Sequence, residues 1–282
     1  IPGYEPFYLE TLGDLRAEIT RLGLSIPVSD STDSLFQPRQ IAGRTVPNAF
    51  CAQPIANSPG PLSIRRYQKL ADGGFSLIWV TEILGKLDLR DLRSRSEAIF
   101  ISQLSPCPAA ELHDSAVESQ LHSLVEDARS AAEAGFDGID ISCHHGTLAA
   151  HLLAARKRPG RFGGSLENRM RIVMRIIDAA REEVGTDAIV GLRLNSDDGM
   201  QGGLGPVEWA EIAKHLAATG KLDYISCSQG TYLNRMMIYP TSPEEHGFQM
   251  AATRQVKASI DLPVVGVGRI TTPDEAEAIL RA

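Results

Sequence analysis

Short apolar runs alternate with longer segments of helical period along this chain. Seven of the runs predict β-strands, at residues 49–53, 75–81, 99–104, 138–142, 188–194, 224–227 and 263–267. Several runs, such as SLIWV and AIVGL, are apolar at nearly every position. That composition is typical of strands in a parallel sheet that is covered by helices on its outer face.

Three segments outside the predicted strands carry clear helix signals. Residues 165–183 place their apolar side chains on one stripe, and Ser165 is the expected N-cap. Residues 272–282 begin with Thr-Pro-Asp-Glu, which supplies an N-cap, a proline in the first turn and a reciprocal Glu275. Residues 7–23 predict an amphipathic helix ahead of the first strand.

A strand and a helix that alternate this often predict a parallel sheet or a (β/α)8 barrel. We therefore expect an α/β protein, a (β/α)8 TIM barrel with an N-terminal helical extension. The extension covers residues 1–33, and the barrel covers residues 34–282 with strands 1–7 and helix 7. The eighth β/α unit is expected to lie outside this sequence.

Composition and charge narrow the class of protein. Hydrophobic residues make up 43% and charged residues 22% of 282, which is typical of a globular domain. The net charge of −7 disfavours nucleic acid and anionic membrane as partners. No apolar run approaches 18 residues, and the first nine residues lack a signal-peptide pattern. Four cysteines without a CxxC motif favour the reduced cytoplasm. We expect a small-molecule substrate, and the sequence is compatible with a homo-oligomer.

Polar and glycine-rich residues follow the predicted strands, where the active sites of barrels lie. The adjacent pair His144 and His145 predicts no metal site, because neighbouring side chains do not converge without other ligands. No lysine stands at a strand end, so a Schiff-base aldolase is not supported. No GxGxxG motif opens a helix after a strand, so a Rossmann dinucleotide site is not predicted.

Two stretches, GFDGIDISCHHGTLAAHLL and KRPGRFGGSLENRMR, closely resemble the old yellow enzyme family of FMN-dependent oxidoreductases. The segments LFQPRQIAGRTVPNAFCAQP, GGFSLIWVTE, IFISQL, VGLRLN and DLPVVGVGRITTPDEAEAIL resemble other parts of that family in the same order. The resemblance covers roughly residues 34–282. The GVGR form and residues 226–235 look most like the branch that contains 2,4-dienoyl-CoA reductase and trimethylamine dehydrogenase.

The resemblance implies an FMN cofactor that NADH or NADPH reduces. It would place Gln103 at the flavin pyrimidine edge and Arg193 beside flavin N1 and O2, where a fixed cation stabilises the reduced anionic flavin. Gly266, Gly268 and Arg269 would bind the phosphate. Further cofactor contacts are expected from the residues that follow the first two predicted strands, namely Pro54, Ile55, Ala56 and Glu82.

The resemblance also implies a substrate site, with two departures from the family pattern. His145 matches the second member of the family's histidine pair, but Ser142 stands at the first position. Thr147 stands where the family has a proton-donating tyrosine, and a threonine hydroxyl is too weak an acid to replace it well. Tyr232 is the expected substitute, and Tyr239 is a weaker one. His144, Ser228 and Arg235 are expected to line the same site, with His144 in a lesser role than His145.

Three functions remain open. The leading one is hydride transfer between NAD(P)H, flavin and a small organic substrate, with an activated alkene expected. The second is flavin-dependent oxidation or N-demethylation of an amine, which needs no tyrosine acid. The third is a catalytically degraded barrel that binds flavin or a phosphate ligand without turnover. The sequence shows no iron–sulfur motif, so no cluster is predicted.

Overall fold

The computed structural model describes residues 8–55, 61–81, 89–105, 113–239 and 244–282. Its strands are β1 Arg39–Ile41, β2 Arg44–Val46, β3 Cys51–Ala52, β4 Leu77–Val80, β5 Ile99–Leu104, β6 Gly138–Cys143, β7 Ile189–Asp197, β8 Tyr224–Gln229 and β9 Val264–Val265. Its helices are α1 Leu12–Arg21, α2 Pro61–Asp72, α3 Leu89–Arg95, α4 Asp114–Glu133, α5 Leu148–Ala154, α6 Leu166–Val184, α7 Pro206–Ala217, α8 Arg235–Ile238, α9 Met250–Ser259 and α10 Pro273–Arg281. A 3₁₀ turn covers Asp33–Phe36.

Strands β3 to β9 form one parallel sheet in chain order, and each corresponds to one of the seven predicted runs. The sheet curls strongly, because side chains from distant strands meet across its inner face. Trp79 on β4 donates a hydrogen bond to the hydroxyl of Tyr224 on β8, four strands away. The result is a nearly closed barrel with helices outside it, which confirms the predicted fold class.

Alternation along each strand separates the two sides of the barrel wall. On β5, Phe100 and Leu104 face the helices, whereas Ile99 and Ile101 face the interior. Gln103 has the same parity as Ile101 and therefore continues the interior row toward the carboxyl end of the strand. Because side chains alternate between the two faces in every strand, interior-facing side chains from several strands converge at the carboxyl ends of the strands.

A glycine makes room for the ring of Tyr224 inside the barrel. A Cβ at Gly191 on β7 would lie 1.9 Å from a ring atom of Tyr224, so any larger residue there would collide with the ring. Tyr224 is fully buried and reaches across to Asp140 on β6. Gly191 therefore allows the cross-barrel contact that fixes Asp140.

The hairpin formed by β1 and β2 closes the other end of the barrel. The two strands pair antiparallel, and Ile41 and Val46 pack against the interior residues Leu77 and Trp79. The sequence pattern did not predict this hairpin, because its strands have three residues each and too few alternations to show a period.

The helix caps expected from the sequence are confirmed. The Ser165 side chain accepts a hydrogen bond from the amide of Asn168, and Thr272 forms a capping box with Glu275. The N-terminal helix is shorter than residues 7–23, because Thr11 caps its start. No helix in the described part of the chain is long and apolar enough to cross a membrane. The division at residue 33 stays a prediction.

Candidate active site

An ionic and aromatic network lies inside the barrel below its carboxyl-terminal edge. Asp140 accepts hydrogen bonds from Nε2 of Gln103 at 2.9 Å and from the hydroxyl of Tyr224 at 2.8 Å. These contacts orient the Gln103 amide, so its carbonyl oxygen points away from Asp140. Burial raises the pKa of Asp140, and the positive charge of Arg193 partly opposes that rise.

Arg193 on β7 is the buried cation of this site. It is 6% exposed, and its Nε atom has no hydrogen-bond partner among the described residues. Burial lowers its pKa from the ordinary value, and the carboxylate of Asp140 opposes the shift. A buried guanidinium that lacks partners is costly, which favours a ligand that supplies acceptors.

Two further unpartnered polar atoms lie on the same rim. The side-chain oxygens of Gln53, after β3, and Thr81, after β4, are buried without a hydrogen-bond partner in the part of the chain described here. Native proteins seldom leave such groups unsatisfied. Together with Arg193 they surround the open end of the barrel with unused hydrogen-bonding capacity, as a ligand site requires.

Two imidazoles and two serines form a compact cluster where β6 ends. The rings of His144 and His145 lie 4.2 Å apart between centroids, and both are buried. Nδ1 of His144 hydrogen-bonds Oγ of Ser142 at 2.9 Å, and Nε2 of His145 hydrogen-bonds Oγ of Ser228 at 2.8 Å. Sequence reasoning gave His144 a lesser role, but the structure buries it as deeply as its neighbour.

Both histidines are neutral at physiological pH. Burial, assisted by the charge of Arg193, lowers the pKa of His145 to about 3. The same two causes hold the pKa of His144 well below its usual range. Neutral imidazoles exchange hydrogen bonds with a ligand without adding charge to the site.

A buried polar chain holds His145 in an uncommon backbone conformation. Its φ is +53°, and its amide donates to Oδ1 of Asn195 at 3.2 Å. Nδ2 of Asn195 donates to the carbonyl of Gly230 and to Oδ1 of Asp198. Asp198 also accepts hydrogen bonds from the Trp209 indole and the Leu204 amide. Asn195 thus ties the end of β6 to the segment after β8.

The remaining substrate-site residues lie in two different environments. Thr147 is buried, and its hydroxyl donates to the carbonyl of Ser142 at 3.0 Å. Tyr232 is exposed, with its ring centroid 6.2 Å from that of His145. Arg235 and Tyr239 lie further along the same segment, are exposed, and make no hydrogen bond to the histidines in the described structure.

The segment after β9 contains two consecutive residues with positive φ. Gly268 has φ +131°, and a Cβ there would lie 2.6 Å from side-chain atoms of Gln249. Arg269 has φ +49°, and its Nε donates to the carbonyl of Glu244. Gly266 lies beside Met250. The loop is tightly packed on the segment before α9.

The expected contacts after the first two barrel strands are only partly visible. Pro54 is half-buried and Ile55 is exposed just after β3. Ala56 and Glu82 lie outside the described residues. Sequence reasoning assigned no role to Asp140, Tyr224 or Asp198. A charged residue within the apolar run GIDISC was the available signal for Asp140, whereas Tyr224 resembled an ordinary core residue.

Comparisons with known proteins agree with this architecture. The model of the NADH:flavin oxidoreductase / NADH oxidase family matches residues 88–282. The N,N-dimethylglycine/sarcosine dehydrogenase of Chromohalobacter salexigens is 32% identical over an alignment of 239 residues, and the match covers 77% of this chain and 33% of the relative. The NADPH dehydrogenase of Geobacillus sp. is 32% identical over 65% of this chain and 52% of its own. The chain spans about a quarter to a half of the curated relatives it matches.

Solved structures share the fold at low sequence identity. The 2-naphthoyl-CoA reductase complex aligns with a TM-score of 0.76 and 24% identity, over 89% of this chain and 49% of its own. Morphinone reductase aligns with a TM-score of 0.66 and 18% identity, over 90% and 84% of the two chains. Because the family model covers more than half of the sequence, this chain belongs to the NADH:flavin oxidoreductase / NADH oxidase family.

Proposed function

We propose that this chain binds FMN at the carboxyl-terminal end of its barrel and transfers hydride from NADH or NADPH to a small organic substrate, an activated alkene. The observation that carries the proposal is the buried Arg193 guanidinium, whose Nε atom has no protein partner in the described structure. A cation in that place needs an electron-rich ligand, and the pyrimidine edge of a flavin supplies acceptor atoms of this kind.

The side chains around Arg193 support the same ligand. Asp140 holds the amide group of Gln103, so the Gln103 oxygen is free to accept a hydrogen bond from a ring N–H. Gln53 and Thr81 add two unpartnered oxygens to the rim. Gly266, Gly268 and Arg269 would hold the phosphate at the end of β9, where barrels commonly bind phosphate.

Bound FMN supplies the hydride chemistry, since it accepts two electrons from a nicotinamide and returns them to the substrate. The protein's residues orient the reactants and supply hydrogen bonds. The neutral imidazoles at the end of β6 offer hydrogen bonds to a substrate oxygen, which polarises the conjugated double bond. Burial, assisted by Arg193, keeps both rings neutral, and Arg193 would stabilise negative charge on the reduced cofactor.

Reduction of an alkene also needs a proton donor. The Thr147 hydroxyl is already committed to the carbonyl of Ser142, besides being a weak acid. Tyr232 lies beside His145 and exposes its phenol to solvent. Water can therefore reprotonate the phenol after it has donated its proton. We therefore assign the proton transfer to Tyr232. Arg235, the first residue of α8, would meet a charged end of the substrate.

Names of similar proteins favour this reaction class. The relatives include an NADPH dehydrogenase, and the structural neighbours include a 2-naphthoyl-CoA reductase and a morphinone reductase. A second candidate, amine oxidation, is favoured by a specific observation: a neutral imidazole can accept a hydrogen bond from an amine N–H. The relatives named dimethylglycine/sarcosine dehydrogenase and histamine dehydrogenase agree with that candidate.

The visible spectrum of the purified protein tests these candidates. We expect flavin bands, supplied by bound or added FMN, that bleach anaerobically with NADPH or NADH and recover on addition of cyclohexenone. Bleaching by secondary or tertiary amines, with no recovery on cyclohexenone, would favour amine oxidation. A protein that refuses added FMN would refute both proposals and favour a degraded barrel.

A further inference from the structure

We propose that His144, rather than His145, donates the hydrogen bond that holds the substrate oxygen, and that Ser142 is the residue that positions it. This inference rests on the proposed function and specifies its substrate contact. It concerns two side chains that lie next to each other in sequence, with ring centroids 4.2 Å apart, but have different partners.

The imidazole of His145 is already engaged by β8. Its Nε2 atom hydrogen-bonds Oγ of Ser228 at 2.8 Å. The backbone carbonyl of Gln229 also accepts a hydrogen bond from the ring, and this contact favours the protonated form of the imidazole. The backbone on both sides is held as well, since the His145 amide donates to Asn195 and the His145 carbonyl accepts from the Tyr232 amide. His145 is thus a structural link between β6, β7 and β8.

The imidazole of His144 has one nitrogen free. Nδ1 hydrogen-bonds Oγ of Ser142 at 2.9 Å, whereas Nε2 makes no hydrogen bond with any described residue. The side chain is more than nine-tenths buried, and the positive charge of Arg193 acts on it directly. An unpartnered ring nitrogen in such a place is available to a ligand bound near Arg193.

The hydroxyl of Ser142 determines which nitrogen of His144 carries the proton. Ser142 is fully buried, and Nδ1 of His144 is the one hydrogen-bond partner of its hydroxyl among the described residues. If Nδ1 were protonated, it would donate to Oγ, and the serine hydroxyl proton would be left without an acceptor in the core. The hydroxyl therefore donates to Nδ1, and the ring proton resides on Nε2.

The small side chain of Ser142 explains why His144 can take this role. Ser142 occupies an interior position of β6, where a histidine would fill the space with its own ring. With serine there, the His144 ring stacks edge-on against His145 and leaves Nε2–H as a donor. A donor next to Arg193 suits a substrate with a neutral or anionic oxygen, such as a ketone, and disfavours a protonated amine.

The tautomer of His144 is the first test. We would label histidine with ¹⁵N in the FMN-loaded protein and assign the ring signals of His144 with the His144→Phe variant. We expect Nε2 to be protonated and Nδ1 to be unprotonated. The opposite tautomer would overturn the assignment, because an unprotonated Nε2 cannot donate to a substrate oxygen.

Binding of cyclohexanone is the second test, since this ketone has the carbonyl oxygen but no carbon–carbon double bond to reduce. In FMN-loaded protein we expect His144→Phe to raise its Kd at least tenfold. Ser142→Ala should raise the Kd about threefold and should produce a mixture of His144 tautomers in the ¹⁵N spectrum. His151→Gln, an exposed histidine on α5, is the matched control and should leave the Kd unchanged.

The two experiments separate this inference from the proposed function. If the protein takes up FMN and NAD(P)H reduces it, but His144→Phe binds cyclohexanone as tightly as the unmodified protein, the His144 assignment is wrong and the function stands. If the protein takes up no FMN, the proposed function fails, and the substrate contact assigned to His144 fails with it.

Discussion

The two sides of the candidate site differ sharply in how their side chains are held. At the end of β6, Ser142, His144 and His145 are buried and hydrogen-bonded. On the segment between β8 and α8, Tyr232 is 56% exposed and Leu233 is 86% exposed. Met236 within α8 and Tyr239 directly after it are exposed as well.

The difference assigns separate tasks to the two sides. Fixed donors in a water-poor place recognise one atom of a substrate, since little reorganisation is needed when the ligand arrives. Exposed apolar side chains gain by being covered, so the β8 segment offers a surface for the apolar body of a substrate. On the proposed function, we therefore expect the rigid side to recognise one substrate atom and the open side to tolerate different substrate shapes.

Acid should destabilise the rigid side most strongly. The folded pKa of His145 is about 3, below its unfolded value of about 6.5, so the unfolded chain binds more protons between these values. Stability is fully present above pH 6.5 and is lost as the pH falls. Each buried histidine should lower the unfolding free energy by about 1.4 kcal/mol per pH unit in that window.

Urea unfolding of the FMN-free protein between pH 6 and pH 4 measures this slope. Because carboxylates also titrate in the range, the informative quantity is the difference from variants. His145→Gln and His144→Gln should each flatten the slope, whereas the exposed control His151→Gln should not. Equal slopes in all four proteins would contradict the burial of neutral histidines.

Removal of the buried cation should affect both ligand binding and folding, and the two effects can be measured separately. Arg193→Leu should weaken FMN binding about 100-fold, because hydrogen bonds to a charged group contribute about 1.5–3 kcal/mol. The FMN-free variant should also lose stability, because the substitution leaves the carboxylate of Asp140 buried without the opposing charge of Arg193. Titration with FMN and urea unfolding measure the two effects.

Arg193→Lys is the matched control, because it keeps the charge but loses the planar guanidinium. It should retain more FMN affinity than Arg193→Leu. An Arg193→Leu protein that binds FMN normally would show that the unpartnered guanidinium does not belong to the flavin site.

The buried hydrogen-bond network that runs from His145 through Asn195 to Asp198 should be sensitive to the replacement of one carboxylate oxygen by an NH2 group. In Asp198→Asn, the new amide must face either the Asn195 amide and Trp209 indole donors or the Leu204 N–H. In either orientation the new NH2 group faces another N–H donor and neither can form a hydrogen bond. We therefore expect a loss of about 2 kcal/mol in unfolding free energy. Asp197→Asn, at the more open neighbouring position, should cost less than about 0.5 kcal/mol. Equal losses would remove Asp198 from its linking role.

The open side should change activity with little change in stability. Tyr232→Phe removes an exposed hydroxyl, so the unfolding free energy should stay within about 0.5 kcal/mol of the original. Reduction of cyclohexenone should fall about tenfold, a modest value because water reaches the site and partly replaces the donor. Tyr8→Phe, at an 85% exposed tyrosine ahead of α1, is the control and should retain full activity. If Tyr232→Phe reduces cyclohexenone at the original rate, the proton comes from another group.

The fold was largely predictable because its signals are local. Runs such as 99–104 and 188–194 differ from their surroundings in composition over a few residues, and they became β5 and β7. The helix starts at Ser165 and Thr272 depend on neighbours three residues away. The β1–β2 hairpin was missed, since three-residue strands leave no periodicity, although it closes one end of the barrel.

The site was predictable in its location and not in its contacts. Strand ends could be located from the sequence, so Gln103, Arg193 and His145 were found as candidates. The pairing of Asp140 with Tyr224 joins residues 84 positions apart in the chain. The link from Asn195 to His145 spans 50 positions. Nothing in the local pattern determines which of these residues meet.

The sequence by itself determined the order of the strands, the helices between them and the end of the barrel where polar residues collect, because each depends on short-range periodicity or capping. The tertiary structure decided that Asp140 orients Gln103, that Ser142 engages His144, and that Arg193 keeps an unpartnered nitrogen. These relations exist because the curled sheet brings the interior faces of separate strands together, and a one-residue change of parity would turn each side chain to the other face.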